Sequence, residues 1–270
     1  IIMLLTADIG NSSVSFAFFS EDGLICHRIC LGSDPVRTSD EYASLLQGAL
    51  TLSPLQRDDV TDAIFSSVVP ALTHTVQESL RKLFPSISKV QTVGPGMRTG
   101  FSIKTDNPSE VGADIVANTA YAVKAFDCPL VIADFGTMTV LTLVGPGKEM
   151  LGNVILPGIG TMFRTMPEYS ALLPGLSADE TAEESFPLCG TNTPDSIRSG
   201  IIRGQAYAVD GYVDAFEKLV KAKLFCISTG GYASIAAPLC RHAFKIDPDL
   251  TAKGLYTLFH LPPKIAKFKS

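Results

Sequence analysis

A chain of 270 residues with 46% hydrophobic and 18% charged residues can bury a large core, which excludes a disordered protein. Its net charge of −5 gives no electrostatic reason to expect nucleic acid as a partner. No stretch is long enough to span a membrane, and the N-terminal residues lack the basic region of a secretory signal.

In chain order, residues 4–19 (LLTADIGNSSVSFAFF) predict a strand, a tight turn and a second strand. A third strand is expected near Ile25–Leu31, then a helix from about Ser39 to Leu52 with Asp40 and Glu41 in its first turn. AIFSSVVP (63–70) reads as a buried strand closed by Pro70, followed by a helix capped by Thr73 and running to Phe84. A short strand near Lys89–Val93 ends in the GPG turn at 94–96. The segment 105–126 begins as a loop and becomes a helix around Asp114, so Gly112 and Asp114 sit near a helix N-terminus. Residues 130–144 (LVIADFGTMTVLTLV) repeat the opening pattern. Residues 152–166 predict a strand, a Pro-Gly turn and a helix, and 175–195 a polar loop. Thr193 then precedes one long helix from Pro194 to Lys221, and 225–239 gives a strand, a Gly-Gly turn and a helix. The order is that of a doubled mixed α/β domain.

The repeat is the informative feature. Asp8 and Asp134 lie 126 positions apart, each at the end of an apolar run and each followed by x-Gly and small polar residues. Such a hairpin delivers a carboxylate to a turn whose glycine, Gly10 or Gly136, lets backbone approach a ligand. The side chains of Asn11, Ser12, Thr137 and Thr139 and nearby amides can donate to phosphate oxygens. Two such hairpins point to a nucleotide held between two related halves. TGG at 229–231 suits a backbone lying against that nucleotide. Asp114, in VGADIVAN, reads first as a helix-capping residue and second as a proton acceptor for a substrate hydroxyl. The six cysteines include one C-x3-C pair, Cys26 and Cys30, in an apolar stretch without a second pair, and read as buried reduced thiols. His27, His74, His242 and His260 fall in no motif, which disfavours a zinc site or a His-based triad.

DIGNS (8–12), SSVVP (66–70), NPSEVGAD (107–114), DFGTMT (134–139), ILPG (155–158), LLP (172–174), TNT with SG, G and DG (191–211), TGG (229–231) and GL (254–255) occur in the order and spacing of one family. In these motifs the chain resembles the type III pantothenate kinases, a Bvg accessory factor-like group of the actin-like ATPase superfamily, from about residue 4 to 255. The resemblance implies an α/β fold of two ribonuclease-H-like domains, divided here as 1–115 and 116–270, with ATP in the cleft. It implies a cytoplasmic homodimer that phosphorylates pantothenate, with magnesium and an activating potassium or ammonium ion. By the same resemblance Asp114 is the general base. The phosphate loop runs through Asp8, Ile9, Gly10, Asn11, Ser12, Ser13, Val14 and Ser15, with Asp8 also positioning magnesium indirectly. Asp134 is the ligand of the monovalent cation and Thr137 an adjacent ATP contact. Thr105, Gly112, Ala113, Asp114, Ile115 and Thr193 fall where the family holds pantothenate.

The chain departs from the family pattern at four places. Ser12 stands for the more usual threonine, Ile115 for arginine and Thr105 for tyrosine, and the second hairpin continues Val140-Leu141-Thr142 rather than Thr-x-Asp. Alternatives are therefore a kinase of another small hydroxy acid, or a catalytically weak regulatory homologue on the same scaffold.

Overall fold

The computed structural model describes residues 3–170, 172–176 and 186–262. The opening repeat folds as β1 (Met3–Ile9) and β2 (Ser13–Phe19), an antiparallel pair in which Asp8 lies across from Ser15 and Ile9 from Val14. β3 (Ile25–Gly32) continues antiparallel along β2. On the other side of β1, β4 (Val60–Ser67) and β5 (Lys89–Thr92) add in parallel, giving the order β3-β2-β1-β4-β5. β1, the middle strand, is buried along almost its whole length, with Leu5, Ala7 and Ile9 on one face and Leu4, Thr6 and Asp8 on the other.

One face of this sheet is packed by α1 (Ser39–Leu50) and α2 (Pro70–Leu83). Leu5, Ala7, Ile9, Phe16 and Phe18 meet Tyr42 and Leu46 of α1 and Leu72, Val76 and Leu80 of α2. Thr38 and Glu41 form a capping box at the start of α1, each side chain accepting the other's backbone N–H. α2 begins at Pro70, whose fixed φ suits the first helical position. Thr73 therefore lies inside the helix and donates back to the Val69 carbonyl, and the cap expected of it is not present.

Among the described residues, those of 101–106 and 125–249 form the second unit; 107–124 and 250–262 belong with the first. This grouping differs from a division at 115/116, because α3 (Ala113–Ala125) spans that point and α8 (Leu250–Phe259) returns from the chain's end to the first unit. Gly254 of α8 lies so close to the Ala117 backbone of α3 that a Cβ there would overlap it. Thr251 also donates to buried Asn118 (2.8 Å), and Tyr256 stacks on Phe19 at 4.8 Å.

The second sheet repeats the first. β7 (Leu130–Phe135), β8 (Met138–Val144) and β9 (Glu149–Pro157) are antiparallel neighbours, and β10 (Phe225–Thr229) and β11 (Phe244–Ile246) add in parallel beside β7. A two-residue edge strand, β6 (Ser102–Ile103), extends the β9 side. The duplicated hairpins thus head two sheets of one topology. α4 (Ile159–Tyr169) and α6 (Gly204–Val220) cover one face, with Phe163 and Val209 against Val131, Ala133 and Phe135.

Three details depart from the sequence reading. The long helix is broken into α5 (Thr193–Arg198), a wider π turn at Ser199–Arg203, and α6. β6, β11 and α8 are additional. Cys26 and Cys30 are exposed, because residues four apart on edge strand β3 share its outward face. Cys189 is exposed as well, Cys128 and Cys240 are partly buried, and only Cys226 is fully buried.

Candidate active site

Each Asp-x-Gly hairpin sets its aspartate one residue before the end of an inner strand. On β1 the alternation sends Ala7 and Ile9 into the α1–α2 core and Asp8 to the opposite face. The parallel register brings Ser66 of β4 beside it, and the fully buried Ser66 hydroxyl donates to Asp8 Oδ1 at 2.7 Å. Asp114, in the first turn of α3, is the nearby charge. Burial pushes the Asp8 carboxyl up to about 6; the Ser66 hydrogen bond opposes that rise and the negative charge of Asp114 adds to it. Burial also raises Asp114 above the usual carboxylate range, against the Ile115 N–H that donates to its Oδ1 at 2.8 Å. A Cβ at Gly112 would overlap Asp114 Oδ1, so the carboxylate folds back over a position only glycine leaves open.

The residues expected in the first phosphate loop divide by depth. Ile9 and Val14 are fully buried in the core, so only their backbone faces a ligand. Gly10, Asn11, Ser12 and Ser13 form the turn, with Asn11 and Ser12 exposed and the Gly10 N–H donating to the Ser13 carbonyl at 2.9 Å. Ser15 is exposed across from Asp8. Ile115 and Ala113 are half-buried beside Asp114.

Asp134, Thr137, Thr105 and Thr193 belong to the second unit. Asp134 lies between Val140 of β8 and Thr229 of β10. Gly230 follows with φ +91°, and a Cβ there would stand 2.6 Å from the Phe135 carbonyl. Gly158, at the end of ILPG, touches the Gly136 and Thr137 carbonyls, and its N–H and the Thr161 hydroxyl donate to the Thr137 oxygen at 3.2 and 2.7 Å. Of the Gly-Gly turn read as a nucleotide bed, Gly230 is therefore required by the hairpin itself, while Gly231 has open space where a Cβ would stand. Thr105 follows β6 with its hydroxyl buried and without a partner. Thr193 opens α5, which Asn192 caps by accepting the Asp195 N–H at 2.9 Å. It lines a cavity of about 460 Å³ with Asn192 and Ser196 on the polar side and Met166, Leu173 and Ile197 on the apolar side. Among the described residues, no cluster of three or more His, Cys, Asp or Glu could hold a metal ion.

Sequence reasoning missed Ser66 as the partner of Asp8. The signal was present: two serines interrupt an otherwise apolar strand at the position parallel to Asp8.

A family model described as type III pantothenate kinase matches residues 4–215. A type III pantothenate kinase from Dictyoglomus turgidum is 38% identical over 95% of this chain and 98% of its own length. Another, from Bacillus cytotoxicus, is 33% identical over 95% of both chains. Among solved structures, a protein named as a Baf family transcriptional activator from Campylobacter jejuni superposes with a TM-score of 0.58 at 19% identity, covering 94% of this chain and 96% of the other. An activator of 2-hydroxyisocaproyl-CoA dehydratase from Clostridium difficile, solved with bound ADPNP, gives a TM-score of 0.55 at 11% identity over 96% and 94%. At such identities these two speak for the fold alone, an α/β architecture with two mixed sheets. The match of sequence over nearly the whole length decides the rest: the chain belongs to the type III pantothenate kinase family.

Proposed function

We propose that the protein transfers the γ-phosphoryl group of ATP to the primary hydroxyl of pantothenate, giving 4'-phosphopantothenate and ADP, the first step toward coenzyme A. Family membership supports the donor and the acceptor. The observation that carries the chemistry is the pair Asp8 and Asp114, two half-buried carboxylates both raised by desolvation, with the negative charge of Asp114 adding to the rise at Asp8.

In this reading Asp114 accepts the hydroxyl proton as the oxygen–phosphorus bond forms and the bond to the ADP oxygen breaks. Its raised pKa suits that task, since a carboxylate of ordinary acidity is a weak base. Amides of the Gly10–Ser13 turn position the phosphates, and Thr137 is a further ATP contact. The donor set fits magnesium: that ion takes one or two carboxylates and completes its shell with water and phosphate oxygens, so no protein cage is needed. Asp8 would hold it, directly or through water, and the ion's contribution is to neutralise charge on the transferred phosphoryl. Asp134 is the proposed ligand for potassium or ammonium. Gly112, Ala113, Ile115, Thr105 and Thr193 are the proposed pantothenate contacts, in a cytoplasmic homodimer.

Purified protein given ATP, magnesium and either potassium, ammonium or sodium, with pantothenate beside a panel of small hydroxy acids, tests this reading through ADP release. Turnover confined to pantothenate and enhanced by potassium or ammonium is expected. Turnover with another acid, but not pantothenate, would transfer the assignment to that acid.

A further inference from the structure

We propose that Ser33 is a positioning residue for the nucleotide phosphates, acting by holding the Gly10–Ser13 turn with its amides turned outward; this rests on the kinase reading above.

Ser33 follows β3 directly and grips the turn twice. Its hydroxyl donates to the Gly10 carbonyl at 2.5 Å and its N–H donates to the Ser12 carbonyl at 3.1 Å. In a trans peptide the C=O and the following N–H point in opposite directions. Tying the Gly10 and Ser12 oxygens to Ser33 therefore directs the Asn11 and Ser13 N–H groups away from it. The Gly10 N–H, bonded to the Ser13 carbonyl, closes the turn in this shape. Two amides set on the same side of a turn present their partial positive charge together and favour an anion there. Without the grip, the Gly10–Asn11 peptide could flip and present a carbonyl to the phosphates, replacing attraction by repulsion.

Ser33 is itself held from behind. The buried Tyr42 hydroxyl of α1 accepts the Asp34 N–H at 3.0 Å and lies 3.3 Å from the Gly32 carbonyl, so the residues on both sides of Ser33 are fixed to the helix. Asp34 is further paired with Arg37, whose guanidinium also donates to the Gly32 carbonyl at 3.3 Å. The support runs from the core, through Tyr42 and Ser33, to the turn.

The test compares dissociation constants for ATP, ADP and adenosine in the wild type, Ser33→Ala and Ser33→Thr, alongside melting curves and pantothenate turnover. Ser33→Ala should weaken ATP and ADP by about tenfold, the worth of one well-placed hydrogen bond, and leave adenosine unchanged; Ser33→Thr, which keeps the hydroxyl, should restore both. Amide NMR of the wild type provides a measurement that needs no variant: ADP should shift the Asn11 and Ser13 N–H resonances, and adenosine should not. Unchanged ATP affinity in Ser33→Ala, an equal loss for adenosine, or unmoved Asn11 and Ser13 amides would overturn the proposal. A wild type that binds ATP with these signatures but leaves pantothenate unphosphorylated would sink the acceptor assignment and leave the role of Ser33 standing.

Discussion

The two Asp-x-Gly hairpins share a topology and differ in what surrounds the aspartate. In the first, Gly10 has one close neighbour, the Ser13 carbonyl 3.1 Å from where a Cβ would stand, and the turn runs one residue longer than in the second. Its aspartate faces a second carboxylate and a serine hydroxyl. In the second, Gly158 and Gly230 press backbone directly onto the hairpin, and Phe135 and Thr137 have their carbonyls engaged by Tyr232, Gly158 and Thr161. A duplicated scaffold has thus left one turn open beside paired charges and closed the other by packing. The difference teaches that the shared motif fixes where a carboxylate stands, while its neighbours from outside the motif decide whether chemistry is possible there.

The largest expected effect separates the two directly. Asp114→Asn keeps the side-chain oxygen that accepts the Ile115 N–H but cannot take a proton. Turnover should fall by about 10²- to 10⁴-fold, the usual contribution of a general base, with ATP affinity and melting point nearly unchanged. Steady-state kinetics and calorimetry check both halves. Near-normal turnover would leave Asp114 as a helix-capping residue and the first hairpin no more reactive than the second.

A smaller effect concerns stability. Asp8 is raised from an ordinary 3.8 to about 6, so the fold favours its protonated form. The folded state then holds more proton than the unfolded chain between those values, and stability falls as pH rises from about 4 to about 6. Above that range the full cost of the ionised carboxylate is present. A difference of about two units corresponds to about 3 kcal/mol. Asp8→Asn should therefore be more stable than the wild type at pH 7.5 by up to that amount, and nearly equal to it at pH 4, as followed by urea unfolding without nucleotide. A variant less stable at both pH values would mean that Asp8 is a structural support, as packed as its counterpart in the second hairpin.

Much of this contrast was legible in the sequence. The alternating and continuous apolar runs around Asp8 and Asp134 fixed both hairpins, and the position of Gly112 and Asp114 before an apolar helix placed the second carboxylate at a helix start. What was not legible is non-local. Ser66 and Ser33 reach their partners from 58 and 23 positions away, and no local pattern announces such pairing. α8 crosses back to the first unit because Gly254 can sit on Ala117, a fit visible only once both helices exist. Thr73 looked like a cap on residue type, but Pro70 at the first helical position settled the boundary earlier. Cys26 and Cys30 looked buried because β3 is apolar, but as an edge strand it turns alternate residues to solvent.

The smallest expected effect tests whether Thr139 of the second hairpin serves packing alone, apart from the ligand contacts proposed for Asp134 and Thr137. Thr139, on β8, is fully buried beside the core that includes Phe135 and Leu141, and its hydroxyl has no hydrogen-bond partner. An unpaired buried hydroxyl costs about 1 kcal/mol or more relative to an apolar group of the same shape. Thr139→Val replaces the hydroxyl by a methyl with little change of volume. The variant should gain about 1 kcal/mol in unfolding free energy, with ATP affinity, potassium dependence and turnover unchanged. The corresponding loop region of the first hairpin offers no such gain, since Val14 already occupies the buried position after the turn. If Thr139→Val instead loses ATP affinity or potassium dependence while its melting point stays put, the hydroxyl is held in reserve for a bound ligand. Thr139 would then join Asp134 and Thr137 as a working part of the site, and the division between an open turn and a packed one would have to be redrawn.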